Sequence, residues 1–337
     1  MAISSALGSS ALLPAGLGFR NKIINGGFDV NQRAFSSATA DATFGFDRWQ
    51  LATSGGTTYS AQTFALGNTI PNQEPTNHAR LVTTGQSGTG VYSILSQKIE
   101  DVRTCAGQQI TVSFYAKAAS GTPKVAIELT QNFGTGGSPS SEVNKYLGQV
   151  VLSTSWTRYV VTGLVPSISG KTLGSASSYL RLLLWVSAGT DFNSRTGSIG
   201  IQSNTFDFWG VQLEQNYQPT PFEQRPIGTE LALCQRYFMT VGGGQGMILF
   251  TRGVDARPNV IIPLSVQLRA SPALSYTGTV GATNYWSGVG SISGSIGITS
   301  WEENAVVCHF TTWSGLSAGV FLMTNLSAAR IFVSAEF

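Results

Sequence analysis

From about residue 45 to residue 215, apolar side chains recur at every second position, in short runs broken by clusters of Gly, Ser, Thr, Asn and Pro. A period of two sends successive side chains to opposite faces of an extended chain, so these runs read as half-buried strands and not as helices. In residues 109–116, Ile110, Val112, Phe114 and Ala116 share one face while Thr111, Ser113 and Tyr115 share the other; Val125, Ile127 and Leu129 repeat the pattern. Leu180, Leu182, Leu184 and Val186 form one face of a further strand. Its second face carries Leu183 and Trp185, as a central strand would. Residues 206–213 close the series, and residues 134–141, 167–178 and 189–198 read as exposed loops between strands. Many short strands without helices predict an all-β chain with a β-sandwich of jelly-roll type.

The alternation stops at residues 218–226, where Pro219, Pro221 and Pro226 fix φ and remove backbone donors. One short helix is predicted just beyond, over residues 229–238, with Leu231, Cys234 and Phe238 on one face. After Gly246 alternation resumes at residues 247–251, 260–268, 305–311 and 329–337, a second and smaller β-unit. The expected organisation is an attachment arm (1–20), the sandwich (21–217), a Pro-rich junction with its helix (218–240) and a C-terminal β-domain (241–337).

Charged residues make up 11% of the 337 residues, against roughly 25% in an ordinary soluble protein, and the net charge is +3. There is no run of Lys or Arg to neutralise successive phosphates, so nucleic-acid binding is not expected. The longest apolar stretch, residues 179–188, contains Arg181 and falls short of the roughly 20 residues needed to cross a bilayer. Cys105, Cys234 and Cys308 match no disulfide framework or zinc spacing and read as buried thiols. Residues 1–20 lack the charged start of a secretory signal.

Catalysis has little material. The two histidines, His78 and His309, have no second histidine or metal-spaced carboxylate near them in sequence. Glycoside cleavage needs two carboxylates roughly 5–10 Å apart; Glu128, Asp191, Asp207, Glu302 and Glu303 are the candidates, and nothing pairs them.

The segment from Asn21 through Asn25-Gly26-Gly27-Phe28-Asp29 to Arg33, followed by Phe46-Asp47-Arg48-Trp49, resembles the opening of a family of bacteriophage tail and fibre proteins. Far downstream, residues 208–214, 220–225 and 230–238 resemble the junction that closes the first domain in that family. The opening and the terminal strand also resemble jelly-roll carbohydrate-binding modules, in which a structural calcium often joins the first and last strands. Those modules place acidic residues just before a final Val-x-Leu, where Trp209 and Gly210 stand here before Val211 and Leu213. Asp29 and Asp207 remain as the calcium ligands to test, and no other cofactor is expected.

The resemblance implies a homotrimer on a virion surface, as a tail or head fibre made in the host cytoplasm. Residues 1–20, apolar and nearly without charge, would join it to other virion proteins. Its expected function is recognition of a host-surface glycan or receptor without chemistry. A purely structural head or tail decoration protein and a polysaccharide depolymerase are the alternatives. Sugar recognition calls for exposed rings beside amides, because a ring stacks on the C–H face of a sugar. Tyr92, Tyr146, Tyr285, Trp286 and Trp313 are the candidate ligand-binding residues, each within two positions of Gly, Ser or Asn, whereas Trp49, Trp156 and Trp209 fit the core better.

Overall fold

The computed structural model describes residues 19–67, 70, 73, 75–242, 247–248, 259–277, 280–284, 288–302, 305–314, 321–325 and 330–337. The strands in chain order are β1 (Ser37–Ala38), β2 (Gln50–Thr53), β3 (Thr57–Thr63), β4 (Asn77–Thr83), β5 (Tyr92–Ile99), β6 (Gln109–Ala118), β7 (Lys124–Asn132), β8 (Val143–Val151), β9 (Thr157–Leu164), β10 (Tyr179–Ala188) and β11 (Asn204–Glu214). They form two antiparallel sheets, a six-stranded one in the order β1-β3-β4-β11-β6-β9 and a five-stranded one in the order β2-β5-β10-β7-β8. The sheets face each other as a sandwich.

The expected period of two explains the core. Leu180, Leu182 and Leu184 of β10 and Ile127 and Leu129 of β7 pack with Val112 and Phe114 of β6 and Phe206 and Phe208 of β11, all fully buried. Trp49 and Trp209 join them, while Trp156 lies partly buried at the margin. Cys105 and Cys234 are buried free thiols, and burial pushes both above the usual thiol range.

After the sandwich, residues 215–226 form neither helix nor strand. Helix α2 runs Ile227–Gln235, starting directly after Pro226, whose φ of −54° is already helical. It ends sooner than the sequence suggests. Phe238 is not on the helix face: it opens β12 (Phe238–Gly242), where its backbone pairs with Ser334. Beyond it come β13 (Met247–Ile248), β14 (Asn259–Pro263), β15 (Ala273–Thr277), β16 (Val280–Asn284), β17 (Gly288–Glu302), β18 (Ala305–Ser314), β19 (Phe321–Asn325) and β20 (Arg330–Ser334). These make a three-stranded sheet β12-β20-β15 and a six-stranded sheet β13-β19-β16-β17-β18-β14. Strand β20 is central in its sheet, with Ile331 and Val333 fully buried.

The motifs that resemble the fibre family meet in space. Residues 21–28 lie along β11: Lys22 N–H donates to Leu213 O, Asn21 bridges Val211 and Leu213, and Val211 N–H donates to Gly26 O at 3.0 Å. This pairing needs the bulge at Gly210, whose φ of +61° suits glycine and breaks the register of β11 with β6. It also explains why glycine stands at 26, because a Cβ there would lie 2.2 Å from Val211 O. The junction then clamps the same segment: Glu223 accepts from Phe19 and Asn21 N–H, Glu230 accepts from Asn25 N–H, and Arg225 donates to Ile23 O.

The residues of the Phe46–Trp49 motif are spent the same way. Trp49 Nε1 donates to Asn25 O, and Asp47 accepts from Gln32 and faces Arg33. Arg48 forms an ion pair with Glu336 and stacks 3.5 Å from the Tyr237 ring centroid. Gln32 and Arg33 reach Phe238, fastening β12 to the sandwich.

Candidate functional site

The outer face of the five-stranded sheet is the part of the sandwich with exposed chemistry. Cross-strand register sets out its rows. Gln50, Ser96, Leu183, Glu128 and Tyr146 form one rung across β2, β5, β10, β7 and β8, with Ala52, Ile94, Trp185 and Ala126 beside it. Lys98, Arg181, Thr130 and Asn144 form the rung on the other side. Four inter-strand gaps of about 4.8 Å make this face roughly 19 Å wide.

Residues 189–198, expected as an open loop, instead fold back over this face as a 3₁₀ turn (Thr190–Phe192) and helix α1 (Asn193–Thr196). They carry Phe192 and Arg195 onto the sheet. Phe192 packs 5.2 Å from Trp185 and 5.7 Å, edge-on, from Tyr92. Arg195 lies 5.1 Å above the Trp185 ring and grips Glu128 through two bonds of 2.7 and 2.9 Å. Trp185 Nε1 donates to the same carboxylate at 2.9 Å. Burial raises the Glu128 carboxyl, and Arg195 and Trp185 oppose that shift. Glu128 therefore orients the ring and the guanidinium, both of its oxygens being occupied.

The result is a cleft of about 560 Å³, inside the range of small-ligand sites. Tyr92 and Phe192 give it accessible rings, over the buried Trp185 and Leu183. Gln50, Thr130, Lys98, Arg181 and Arg195 give it polar groups, and Asp41 and Glu142 stand at its exposed rim. Phe337, arriving from beyond β20, closes one end against Tyr179 at 5.4 Å.

Of the five aromatic residues expected to meet ligand, Tyr92 lines the cleft. Tyr146 joins the same apolar cluster and its ring packs under α1: a Cβ at Gly197 would lie 2.3 Å from its hydroxyl. Trp313 is on β18 opposite Ile292, on a different sheet. Tyr285 and Trp286 lie outside the described residues. Trp185, Phe192, Arg181 and Arg195 were not anticipated as site residues. The traces in the sequence were Leu183 and Trp185 on the second face of an otherwise core strand, and a charge at 181 inside an apolar run.

Of the two aspartates expected as calcium ligands, Asp207 is already held by cations. Asp207 on β11 is held by Arg80 at 2.7 and 2.9 Å, with Lys117 and His78 each 3.7 Å away. Cations thus occupy the positions a metal would need. Asp29 is exposed and lines a separate cavity with Thr76, Asn77, Arg225 and Glu230. Among the described residues no group of three or more His, Cys, Asp or Glu side chains could hold a metal. His78 does approach a carboxylate, which sequence spacing concealed, yet burial lowers it to about 4, so it is neutral at pH 7.

No family model and no curated protein matches this chain. Solved structures resemble it at low overall similarity. An enzymatically active tailspike domain from Bacteriophage CBA120 is 14% identical, covering 58% of this chain and 22% of its own length, with a TM-score of 0.34. This chain therefore spans about a fifth of that protein. A family 11 carbohydrate-binding module from Clostridium thermocellum is 12% identical over 55% of this chain and 99% of the module, with a TM-score of 0.33. A xylan-binding domain from Paenibacillus barcinonensis is 12% identical over 54% of this chain and 96% of the domain, with a TM-score of 0.30.

Proposed function

We propose that the chain is a non-catalytic recognition protein that holds a glycan in the cleft on the outer face of the five-stranded sheet, as a surface component of a bacteriophage fibre or tail. One observation carries the binding reading: Tyr92 and Phe192 converge with Gln50, Thr130 and two half-buried cations in a single open cleft. Rings supply stacking surface for sugar C–H faces, and the amide, hydroxyl and cations supply directed bonds to substituents. Recognition without cleavage fits the state of Glu128, whose oxygens are taken by Arg195 and Trp185.

The virion setting rests on the opening and junction motifs. Those motifs are spent inside the protein, on the contact between the sandwich, α2 and β12, and this favours a second reading in which the chain is an architectural fibre component. A glycan array probed with the full chain separates the two. Saturable binding to a subset of glycans, weakened in Tyr92→Ala and without release of reducing ends, is the expected result. Binding to no glycan would leave the architectural reading, and release of reducing ends would replace both with a depolymerase.

A further inference from the structure

Resting on the glycan-binding reading of the cleft, we infer that its ligand is an acidic glycan, whose anionic substituent sits between Arg181 and Lys98. These residues are direct cross-strand partners on β10 and β5. Like charges placed opposite each other on a sheet repel, and sheets ordinarily pair such a position with an opposite charge. Here neither cation lies within 4 Å of an acidic side chain among the described residues. Arg181 Nη2 donates to Ser96 Oγ at 2.8 Å, while its buried Nε has no hydrogen-bond partner. Lys98 Nζ donates to the main-chain oxygen of Phe337 at 3.4 Å and lies 4.7 Å from the Tyr179 ring centroid.

The two inner carboxylates are engaged elsewhere, and the two exposed ones bear on Arg181 from the rim. Glu128 is closed by Arg195 and Trp185, and Glu336 is paired with Arg48 and Arg33. Asp41 and Glu142 are exposed at the rim, where Asp41 accepts from Thr53 N–H at 2.8 Å and Glu142 from Asn132 at 3.4 Å. The cleft is thus positive on its floor and negative on its wet edge. Charge at the floor acts through a lower dielectric than charge at the rim, so the floor decides which ligand charge is favoured. Burying an unpaired cation is costly, and an anion from the ligand offsets that cost.

The pair also has the geometry for the task. An arginine guanidinium offers directed donors to a carboxylate, sulfate or phosphate oxygen, and a lysine offers a movable point charge beside it. Phe337 closes the cleft beside the pair. An uncharged glycan would fill the aromatic half of the cleft and leave both cations unpaired.

The test is calorimetric titration of the full chain with uronate-bearing polysaccharides, pectate and alginate among them, each beside its own carboxyl-reduced form. Dextran sulfate beside dextran, and a phosphorylated dextran, distinguish the source of the anion. The expected result is affinity about tenfold or more above that for the neutral counterpart, a difference of about 1.4 kcal/mol. That preference should vanish in Arg181→Gln and in Lys98→Gln but persist in Lys171→Gln, which removes an exposed charge from outside the cleft. Equal affinity for charged and reduced forms would overturn the acidic preference and leave glycan binding intact. Binding to neither form would overturn both. A preference that survives both cleft variants, or is lost equally in Lys171→Gln, would overturn its assignment to this pair.

Discussion

Arg48 and Glu336, 288 residues apart, form an ion pair in which the arginine side chain is 1% exposed. Arg48 also donates to Lys98 O and stacks on Tyr237, so this guanidinium ties β5, the junction and the segment after β20 together. Removing one partner of a buried pair strands the other charge, at a cost of about 3–5 kcal/mol. Glu336→Ala should therefore lower the urea midpoint by the equivalent of that loss. An unchanged midpoint would mean that Lys98 O and the aromatic rings alone satisfy Arg48.

Tyr92→Ala should weaken glycan binding by up to about tenfold, because an aromatic contact is worth about 0.5–1.5 kcal/mol beyond area. Tyr146→Ala should act mainly on α1. Its ring supports Gly197, so a drop in melting temperature should accompany any loss of affinity. Calorimetric titration beside thermal unfolding of both variants checks the contrast.

Much of this architecture was legible from residue pattern. The runs at 109–116, 125–129 and 180–186 became β6, β7 and β10 with the expected residues inward, because a period of two leaves no other way to bury Val112, Phe114 or Leu182. The long strand β17 was not legible: Gly and Ser fill seven of the ten positions 288–297, and such residues mark turns as readily as strands. The cleft was half legible. Leu183 and Trp185 announced a second apolar face, but sequence cannot say whether a loop covers such a face or leaves it open. Phe192 and Arg195 reach it through a three-dimensional fold-back, and the pairing of Arg181 with Lys98 depends on register between strands far apart in the chain.

Burial, then Arg181 and Arg48, lower the Lys98 ammonium to about 8, with Glu336 opposing and Arg269 adding to the shift. Binding of an anion favours the charged lysine, so affinity for an acidic glycan should be level near pH 6.5 and fall as pH rises through about 8. Affinity for the carboxyl-reduced glycan should stay flat. The free protein should respond with the opposite sign. Between about 8 and the ordinary value of 10.5 the unfolded chain holds a proton that the folded chain has released, so this group's contribution to stability rises with pH. Titrations across that range in two buffers test both signs.

Relieving the repulsion has a second consequence. Arg181→Gln removes one of two facing like charges, whose interaction is worth about 0.2–1 kcal/mol. The free protein should melt about 1–3 °C higher while losing its acidic ligand. A lower melting temperature would mean that the bond to Ser96 outweighs the repulsion.

Gly26→Ala places a methyl group 2.2 Å from Val211 O and disturbs the bond from Val211 N–H to Gly26 O. Overpacking of this kind costs about 1–3 kcal/mol. Thermal unfolding should show that loss, with glycan affinity unchanged in the folded fraction.

Phe337 gives the cleft a history as well as a shape. A ribosome delivers β2, β5, β7, β8 and β10 long before it reaches this residue, yet the wall beside Tyr179 and Lys98 is set only once β20 has entered its sheet. A nascent chain halted before residue 330 would carry the rings of the site without its closed end. Ligand capture by ribosome-bound chains of increasing length would then register when the last strand docks.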